Sequence, residues 1–96
     1  MTWIRTVLPS EGGPELKRIY ETLYAMYPPE YHTNVAAVTR PDGTSDSVVA
    51  AHSLIPDAMH HMMAGLAVLL RPDLPLTRRQ QEMIATVTSA LNRCFY

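Results

Sequence analysis

The chain is poor in the features that mark several large classes of protein. Its only cysteine is Cys94, so no disulfide can form within the chain, which fits a reducing compartment and leads us to expect a cytoplasmic location. No apolar run is long enough to cross a bilayer, and the first residues contain no apolar core of signal-peptide length. Eight basic and nine acidic side chains give a net charge of -1, which does not suit a nucleic-acid-binding surface. We therefore expect no nucleic-acid or membrane partner.

The sequence also lacks period-two alternation, and its apolar residues follow the period of helices instead. Ninety-six residues, 47% of them hydrophobic, allow one helical domain, with residues 1–13 as an irregular arm. Pro14 suits the first position of a helix, and Pro28 ends that helix. Its apolar side recurs every three or four residues and consists of Leu16, Ile19, Tyr20, Leu23, Tyr24 and Tyr27. Residues 34–38 fit either a strand or the start of a helix.

A second and a third helix are predicted in the middle of the chain. The second covers residues 45–54, and either Ser45 or Asp46 can cap it. The third begins at Pro56, and its spacing predicts a buried apolar face. That face consists of Met59, Met62, Met63, Leu66, Leu69 and Leu70.

The fourth predicted helix follows Thr77. This threonine stands three residues before Gln80, which is the spacing of a capping box. The helix is predicted to bury a stripe made of Met83, Ile84, Val87, Ala90 and Leu91. The fold class is therefore all-α, with about four helices.

An acidic residue, Glu82, and the single cysteine, Cys94, lie near the end of the chain. They are twelve positions apart, within the segment LTRRQQEMIATVTSALNRCFY that begins at residue 76. Residues 74–96 resemble the core segment of the carboxymuconolactone decarboxylase/alkylhydroperoxidase-D family. That family has an L-[ST]-x-R-E-R-E helix start and a glutamate twelve residues before the first cysteine of a C-x-x-C pair. Residues 1–70 fit the peroxidase-related subgroup more loosely, through Trp3, the tyrosine-rich first helix and residues 51–53.

The resemblance implies an alkylhydroperoxidase-D-like helical fold completed by homo-oligomerisation, and a thiol-dependent antioxidant peroxidase as the activity. In that role Cys94 is the redox thiol, Glu82 belongs to its proton relay, and a dithiol reductant is the partner that restores the thiol. The sequence offers no cofactor motif. The spacing of His52, His60 and His61 does not favour a metal site, because no two of them stand four apart on one helix.

The segment departs from the family pattern at its end. The second cysteine and the following histidine are not among the 96 residues, so we expect weak or no dithiol peroxidase activity. We expect a fragment of a longer family domain or the product of a decayed gene, and a natural short relative is the third interpretation. On one unbroken helix twelve residues span about 18 Å. Glu82 can therefore act on Cys94 only if the helix breaks near Asn92 and Arg93, or across a subunit boundary.

Two other functions fit the same residues. The first is the decarboxylase branch of the family, which acts on a lactone ring acid without a cysteine pair. The second is a non-enzymatic helical assembly module, supported by the short chain and by its methionine and tyrosine stripes. The simplest interpretation of Cys94 is a small apolar residue near a chain end, and that of Glu82 is a solvated acid near the positive end of its helix.

Overall fold

The computed structural model describes residues 4–33, 35–39, 41 and 47–94. Three α-helices dominate these ranges: α1 (Pro14–Met26), α2 (Pro56–Leu69) and α3 (Arg78–Leu91). Short 3-10 helices cover Pro29–His32, Ala36–Val38 and Ala50–His52. No strand forms in the described ranges, so the predicted all-α class is confirmed, with three α-helices there instead of about four. The alkylhydroperoxidase-D-like arrangement of these helices stays a prediction.

The first helix forms as its sequence predicts. Pro14 occupies the first helical turn, where its missing N–H has no partner to lose. Tyr27 ends the helix with an extended backbone, and its N–H donates to the carbonyl of Tyr24. Pro28 and Pro29 follow and cannot continue the hydrogen-bond ladder. The predicted helix over 14–27 is thereby confirmed to within one residue.

The predicted helix over 45–54 is wrong for the residues that the structure describes. Ser45 and Asp46 lie outside them, and the remainder forms only the 3-10 helix Ala50–His52. The hydroxyl of Ser47 accepts the N–H of Ala50, a bond of the kind that caps the start of a helical turn. At the other end Ile55 leaves the helical conformation (φ -128°, ψ 84°), as the residue before a proline prefers to do.

The core lies between α1 and α2. Leu23 and Met59 are fully buried at its centre, and the other buried members of the cluster are Leu16, Ile19, Tyr20, Val49 and Met63. The predicted apolar face of α2 divides: Met59 and Met63 are buried, whereas Met62, Leu66 and Leu69 are exposed. Burying each of the two fully enclosed side chains contributes about 1.5–3 kcal/mol to the stability of the fold.

The N-terminal arm is pinned against this core. The N–H of Val7 donates to the Ser53 hydroxyl at 2.7 Å, and its carbonyl accepts the Tyr20 hydroxyl at 2.9 Å. Gly12 allows the arm to approach α1 closely, because a Cβ there would lie 2.5 Å from a methyl of Leu16. The arm is irregular, as predicted, but its backbone polar groups have specific partners.

The third helix begins with the predicted capping box. The Thr77 hydroxyl accepts the N–H of Gln80, and the Gln80 side chain accepts the N–H of Thr77. The predicted buried stripe of this helix is wrong, because its large apolar side chains are exposed. Gln81 is the buried residue of α3 instead, and its amide donates to the carbonyl of Leu69 at 3.1 Å. The helix therefore meets the end of α2 with a polar face.

Candidate functional site

Glu82 belongs to a polar cluster near the start of α3. Its Oε1 accepts a hydrogen bond from Nε of Arg78 at 2.6 Å and another from the Tyr31 hydroxyl at 3.2 Å. The Arg78 guanidinium also lies over the Tyr31 ring, 4.6 Å from its centroid. These contacts join the 3-10 helix Pro29–His32 to α3. Glu82 is exposed, as a solvated acid near a helix start would be, but its carboxylate is already paired.

The cluster alters the chemistry of its tyrosine. Burial raises the pKa of the Tyr31 hydroxyl above its ordinary value, and the neighbouring carboxylate of Glu82 adds to this, while the Arg78 guanidinium opposes it. Tyr31 therefore stays protonated and donates its hydrogen bond at neutral pH. These contacts hold the start of α3 in place, and they pair the Glu82 carboxylate with Arg78 and Tyr31.

Cys94 lies just beyond the other end of α3. Its N–H donates to the carbonyl of Ser89 at 2.9 Å, and the N–H of Arg93 donates to that of Ala90 at 3.1 Å. This pair of bonds is a Schellman motif, with Arg93 in the left-handed position at φ 51°. The helix thus breaks at Asn92 and Arg93, which is where a break is needed if Glu82 and Cys94 are to meet within one chain.

The break does not bring the two candidate residues together. From Glu82 to the last helical residue, Leu91, α3 extends for about 14 Å at its rise per residue. Glu82 contacts Tyr31 and Arg78 at the near end, while Cys94 is exposed at the far end. The relay implied by the family resemblance is therefore not formed within the described part of one chain, and an arrangement across subunits stays a prediction.

The Cys94 side chain borders an open depression of about 360 Å³ along α3. The other residues that line it are Ala85, Thr86, Ser89 and Ala90, which supply methyl and hydroxyl groups. A thiol in this position is reachable by a small oxidant. Among the residues that the structure describes, the lining contributes no carboxylate or imidazole that could take its proton.

The histidines occupy separate environments. Nδ1 of His52 donates to the carbonyl of Val48 at 2.7 Å. The rings of His60 and His61 meet edge to face with centroids 5.2 Å apart, and Nδ1 of His60 is buried without a hydrogen-bond partner in the described ranges. Within those same ranges, no group of three or more potential metal ligands lies close enough to hold an ion.

The outward side of α3 carries a row of exposed apolar residues, which we call the outer stripe: Met83, Ile84, Val87, Ala90 and Leu91. Its four large side chains are 56%, 55%, 58% and 80% exposed in sequence order. On a helical projection the five residues fall within a sector of about 120°. Gln81, Arg78 and Glu82 lie on the other side, which faces the body.

Sequence reasoning found the outer stripe but assigned it to the interior. Its spacing is the same for a helix that packs inside a chain and for one that packs between chains. The Tyr31–Arg78–Glu82 cluster had no local sequence indication, because 51 residues separate Tyr31 from Glu82. Gln81 lies four residues after Thr77, on the polar face of the helix. A polar residue at that position could have indicated which side of α3 faces the body.

Comparison with known proteins adds no family. In the described ranges no helix has both the length and the apolar content needed to cross a membrane. The chain matches no protein-family model, no curated protein and no solved structure. The resemblance of residues 74–96 to the carboxymuconolactone decarboxylase/alkylhydroperoxidase-D family therefore stays a prediction, and function has to be argued from the geometry of α3.

Proposed function

We propose that this chain is a non-enzymatic helical assembly module that associates with further copies of itself through the outer stripe of α3. The observation that supports this is the orientation of α3, which directs polar side chains to the body and its apolar stripe to the solvent. Contiguous exposed apolar surface on a helix is typical of an interaction surface.

The contacts that hold α3 are few and weak within the part of the chain that the structure describes. The Gln81 bond and the cluster around Tyr31 attach its first turns, whereas nearly every residue from Glu82 to Cys94 is exposed. A helix of 14 residues is marginal in water without packing. An exposed ion pair such as that of Arg78 with Glu82 adds no more than about 1 kcal/mol. Association would supply the packing that α3 lacks.

The apolar surface of the stripe can offset much of the cost of association. The exposed parts of its four large side chains equal about two and a half fully exposed side chains. Burying them contributes at most about 4–7 kcal/mol per copy, and about 8–15 kcal/mol for a pair. The loss of translational and rotational freedom on association costs about 4–15 kcal/mol. Because the gain and the cost are of the same size, an oligomer formed through two such stripes would be weak and reversible.

The state of the candidate catalytic residues supports a non-enzymatic role. The Glu82 carboxylate already accepts two hydrogen bonds, from Arg78 and Tyr31, and it is separated from Cys94 by most of α3. General acid–base catalysis needs a group within about 3 Å of the proton it moves. Glu82 makes its contacts near the start of α3, and Cys94 lies just beyond the end of the same helix, so the two are not within that distance of each other.

The test compares two adjacent substitutions on α3. Val87→Glu places a carboxylate in the outer stripe, whereas Thr88→Glu places one on exposed surface beside it. The mass of the purified chain, measured by sedimentation over a concentration series, should rise above 10.8 kDa for the wild type and for Thr88→Glu. Val87→Glu should remain at the monomer mass. A wild-type chain that stays monomeric up to millimolar concentration would refute the proposal.

The second candidate is the thiol-dependent peroxidase activity that the family resemblance implies. The exposure of Cys94 beside an open depression favours it, since a peroxide can reach the sulfur. The thiolate would attack one peroxide oxygen, giving a sulfenic acid and releasing water or an alcohol, and a dithiol would then restore the thiol as it becomes a disulfide. Peroxide consumption with a dithiol reductant tests this. Robust turnover that Cys94→Ser abolishes would establish it, and the chain would then be an enzyme.

A further inference from the structure

A surface groove lies between α1 and α2 and includes no residue of the outer stripe. Its volume is about 350 Å³, which is at the lower end of the range of small-molecule sites. Residues three and four apart on a helix share one face, and the groove is lined by one such face from each helix. The lining residues are Glu15, Arg18, Ile19 and Thr22 from α1, and Asp57 and His60 from α2.

His60 presents a hydrogen-bond donor to this groove. Its Nδ1 is buried and has no hydrogen-bond partner among the residues that the structure describes. A proton on Nδ1 would therefore be a buried donor without an acceptor, so the neutral ring carries its proton on Nε2. The edge-to-face contact with the His61 ring, with centroids 5.2 Å apart, holds the imidazole in this orientation. The Nε2–H group is then the donor that His60 can offer to a molecule in the groove.

The charged groups of the groove are not paired with one another. Glu15 and Arg18 stand three positions apart on α1, a spacing at which an ion pair can form. Within the described ranges, however, neither of them forms an ion pair, and nor does Asp57. The Thr22 hydroxyl donates to the carbonyl of Arg18 at 2.9 Å, which leaves the hydroxyl oxygen free to accept. The groove thus combines two carboxylate acceptors with a guanidinium and an imidazole N–H as donors.

We propose that the α1–α2 groove binds the zwitterion of a free α-amino acid with an apolar side chain. The carboxylate of this ligand accepts hydrogen bonds from Arg18 and His60. Its ammonium group donates to Glu15 and Asp57. Its side chain lies against Ile19, the apolar member of the lining. Hydrogen bonds to charged groups are the stronger kind, so these contacts supply most of the binding free energy.

Ligands with a single charge fit the same residues less well. An amine without a carboxylate would place its positive charge beside Arg18 and leave that guanidinium unpaired. A carboxylate without an amine would lie beside Glu15 and Asp57, and like charges at this range repel one another. In the part of the chain that the structure describes, no group of three or more potential metal ligands lies close enough to hold an ion. A ligand with both charges meets each group with its opposite.

Titration with L-valine and two matched analogues tests the ligand class. Isobutylamine is L-valine without its carboxylate, and isovalerate is L-valine without its amine. Amide chemical shifts of the isotope-labelled chain report both the Kd and the place of binding. We expect L-valine to bind in the millimolar range, because most of the lining is exposed, and each analogue to bind about tenfold more weakly. The shifts should lie in the first halves of α1 and α2.

Paired substitutions on α1 test the groove itself. Arg18→Gln removes a proposed contact, whereas Lys17→Gln removes the same charge from an adjacent position outside the groove. Glu15→Gln and Glu21→Gln form a second pair of this kind. All four positions are exposed in the folded chain, so these changes do not threaten folding. Arg18→Gln and Glu15→Gln should each weaken L-valine binding about fivefold, and the two controls should leave it unaltered.

Each outcome of these titrations decides the proposal. The expected order of ligands, together with weakening by the groove variants alone, establishes the site. The proposal is overturned if L-valine causes no shifts up to its solubility limit, or if either analogue binds as tightly as L-valine. It is also overturned if Lys17→Gln weakens binding as much as Arg18→Gln, because the effect is then one of general charge. None of these results depends on the mass of the chain, so assembly through the outer stripe stands or fails separately.

Discussion

Gln81 is the side chain that fixes α3 to the rest of the chain, and its replacement by methionine tests that attachment. Its amide donates to the carbonyl of Leu69, the last residue of α2. The final carbonyls of a helix have no partner within it, so this bond satisfies a group that would otherwise be unpaired. Gln81→Met keeps the length of the side chain and removes the donor.

The size of the effect follows from the surroundings of the bond. Leu69 is 64% exposed, so water can replace the lost donor at its carbonyl, and the substitution removes one ordinary hydrogen bond worth about 0.5–1.5 kcal/mol. The more apolar methionine side chain recovers part of this at the buried Gln81 position, which leaves a net loss of about 0.5–1 kcal/mol. For the global fold this is a moderate change. For α3 it is large, because the remaining attachment consists of exposed polar contacts.

Amide hydrogen exchange measures the effect where it occurs. In a Val87→Glu background, where assembly does not contribute, Gln81→Met should speed the exchange of the α3 amides roughly 2- to 5-fold. The α1 amides should not change. Thr88→Met, which adds a methionine at an exposed position of the same helix, is the matched control and should leave exchange unaltered. If Gln81→Met leaves α3 protection intact, the bond to Leu69 does not hold the helix and this account of α3 is wrong.

Three further predictions concern the core, the end of α3 and alkaline pH. Leu23 is fully buried, so Leu23→Ala should lower the free energy of unfolding by about 2–5 kcal/mol in urea titrations, and a loss below 1 kcal/mol would show that the core is not closed there. Arg93 has a positive φ, so Arg93→Gly should stabilise α3 by about 1 kcal/mol, whereas Asn92→Gly, at a negative φ, should destabilise it; circular dichroism should show helix content moving in opposite directions. Burial raises the pKa of the Tyr20 hydroxyl, so the stability it contributes is complete below pH 10 and declines as the pH rises further; Tyr20→Phe should reduce the decline in urea midpoint between pH 9 and 11, and an equal decline would contradict it.

The helices themselves could be predicted because their limits are encoded locally. Pro14 and Pro56 open α1 and α2, and the pairing of Thr77 with Gln80 opens α3. Each of these acts within one turn of helix, so sequence alone contains the necessary information. The segment before Pro56 was mispredicted: Ser47 does cap a helical turn there, but the described residues continue it only as the 3-10 helix Ala50–His52.

The candidate site was less predictable because it depends on contacts that are distant in sequence. The spacing of Glu82 and Cys94 predicted that the helix would have to break at Asn92 and Arg93 for the two to meet, and α3 does end there. The spacing could not show that Tyr31 would occupy the Glu82 carboxylate. Which way a helix faces is decided by the partners of its polar groups as much as by its apolar side.

That last point explains why the stripe of α3 is left for a second copy. Turning α3 by half a turn to bury Val87 within one chain would withdraw Gln81 from the carbonyl of Leu69 and separate Arg78 and Glu82 from Tyr31. Rotating α3 in this way would add no burial at the centre of the α1–α2 core, because the innermost side chains there are already fully buried. The polar attachment of α3 can be kept, and its apolar stripe can still be buried, if the apolar contact is made with another chain. A contact between copies through the outer stripe would satisfy both requirements without turning α3, and this is the physical reason for the proposed assembly.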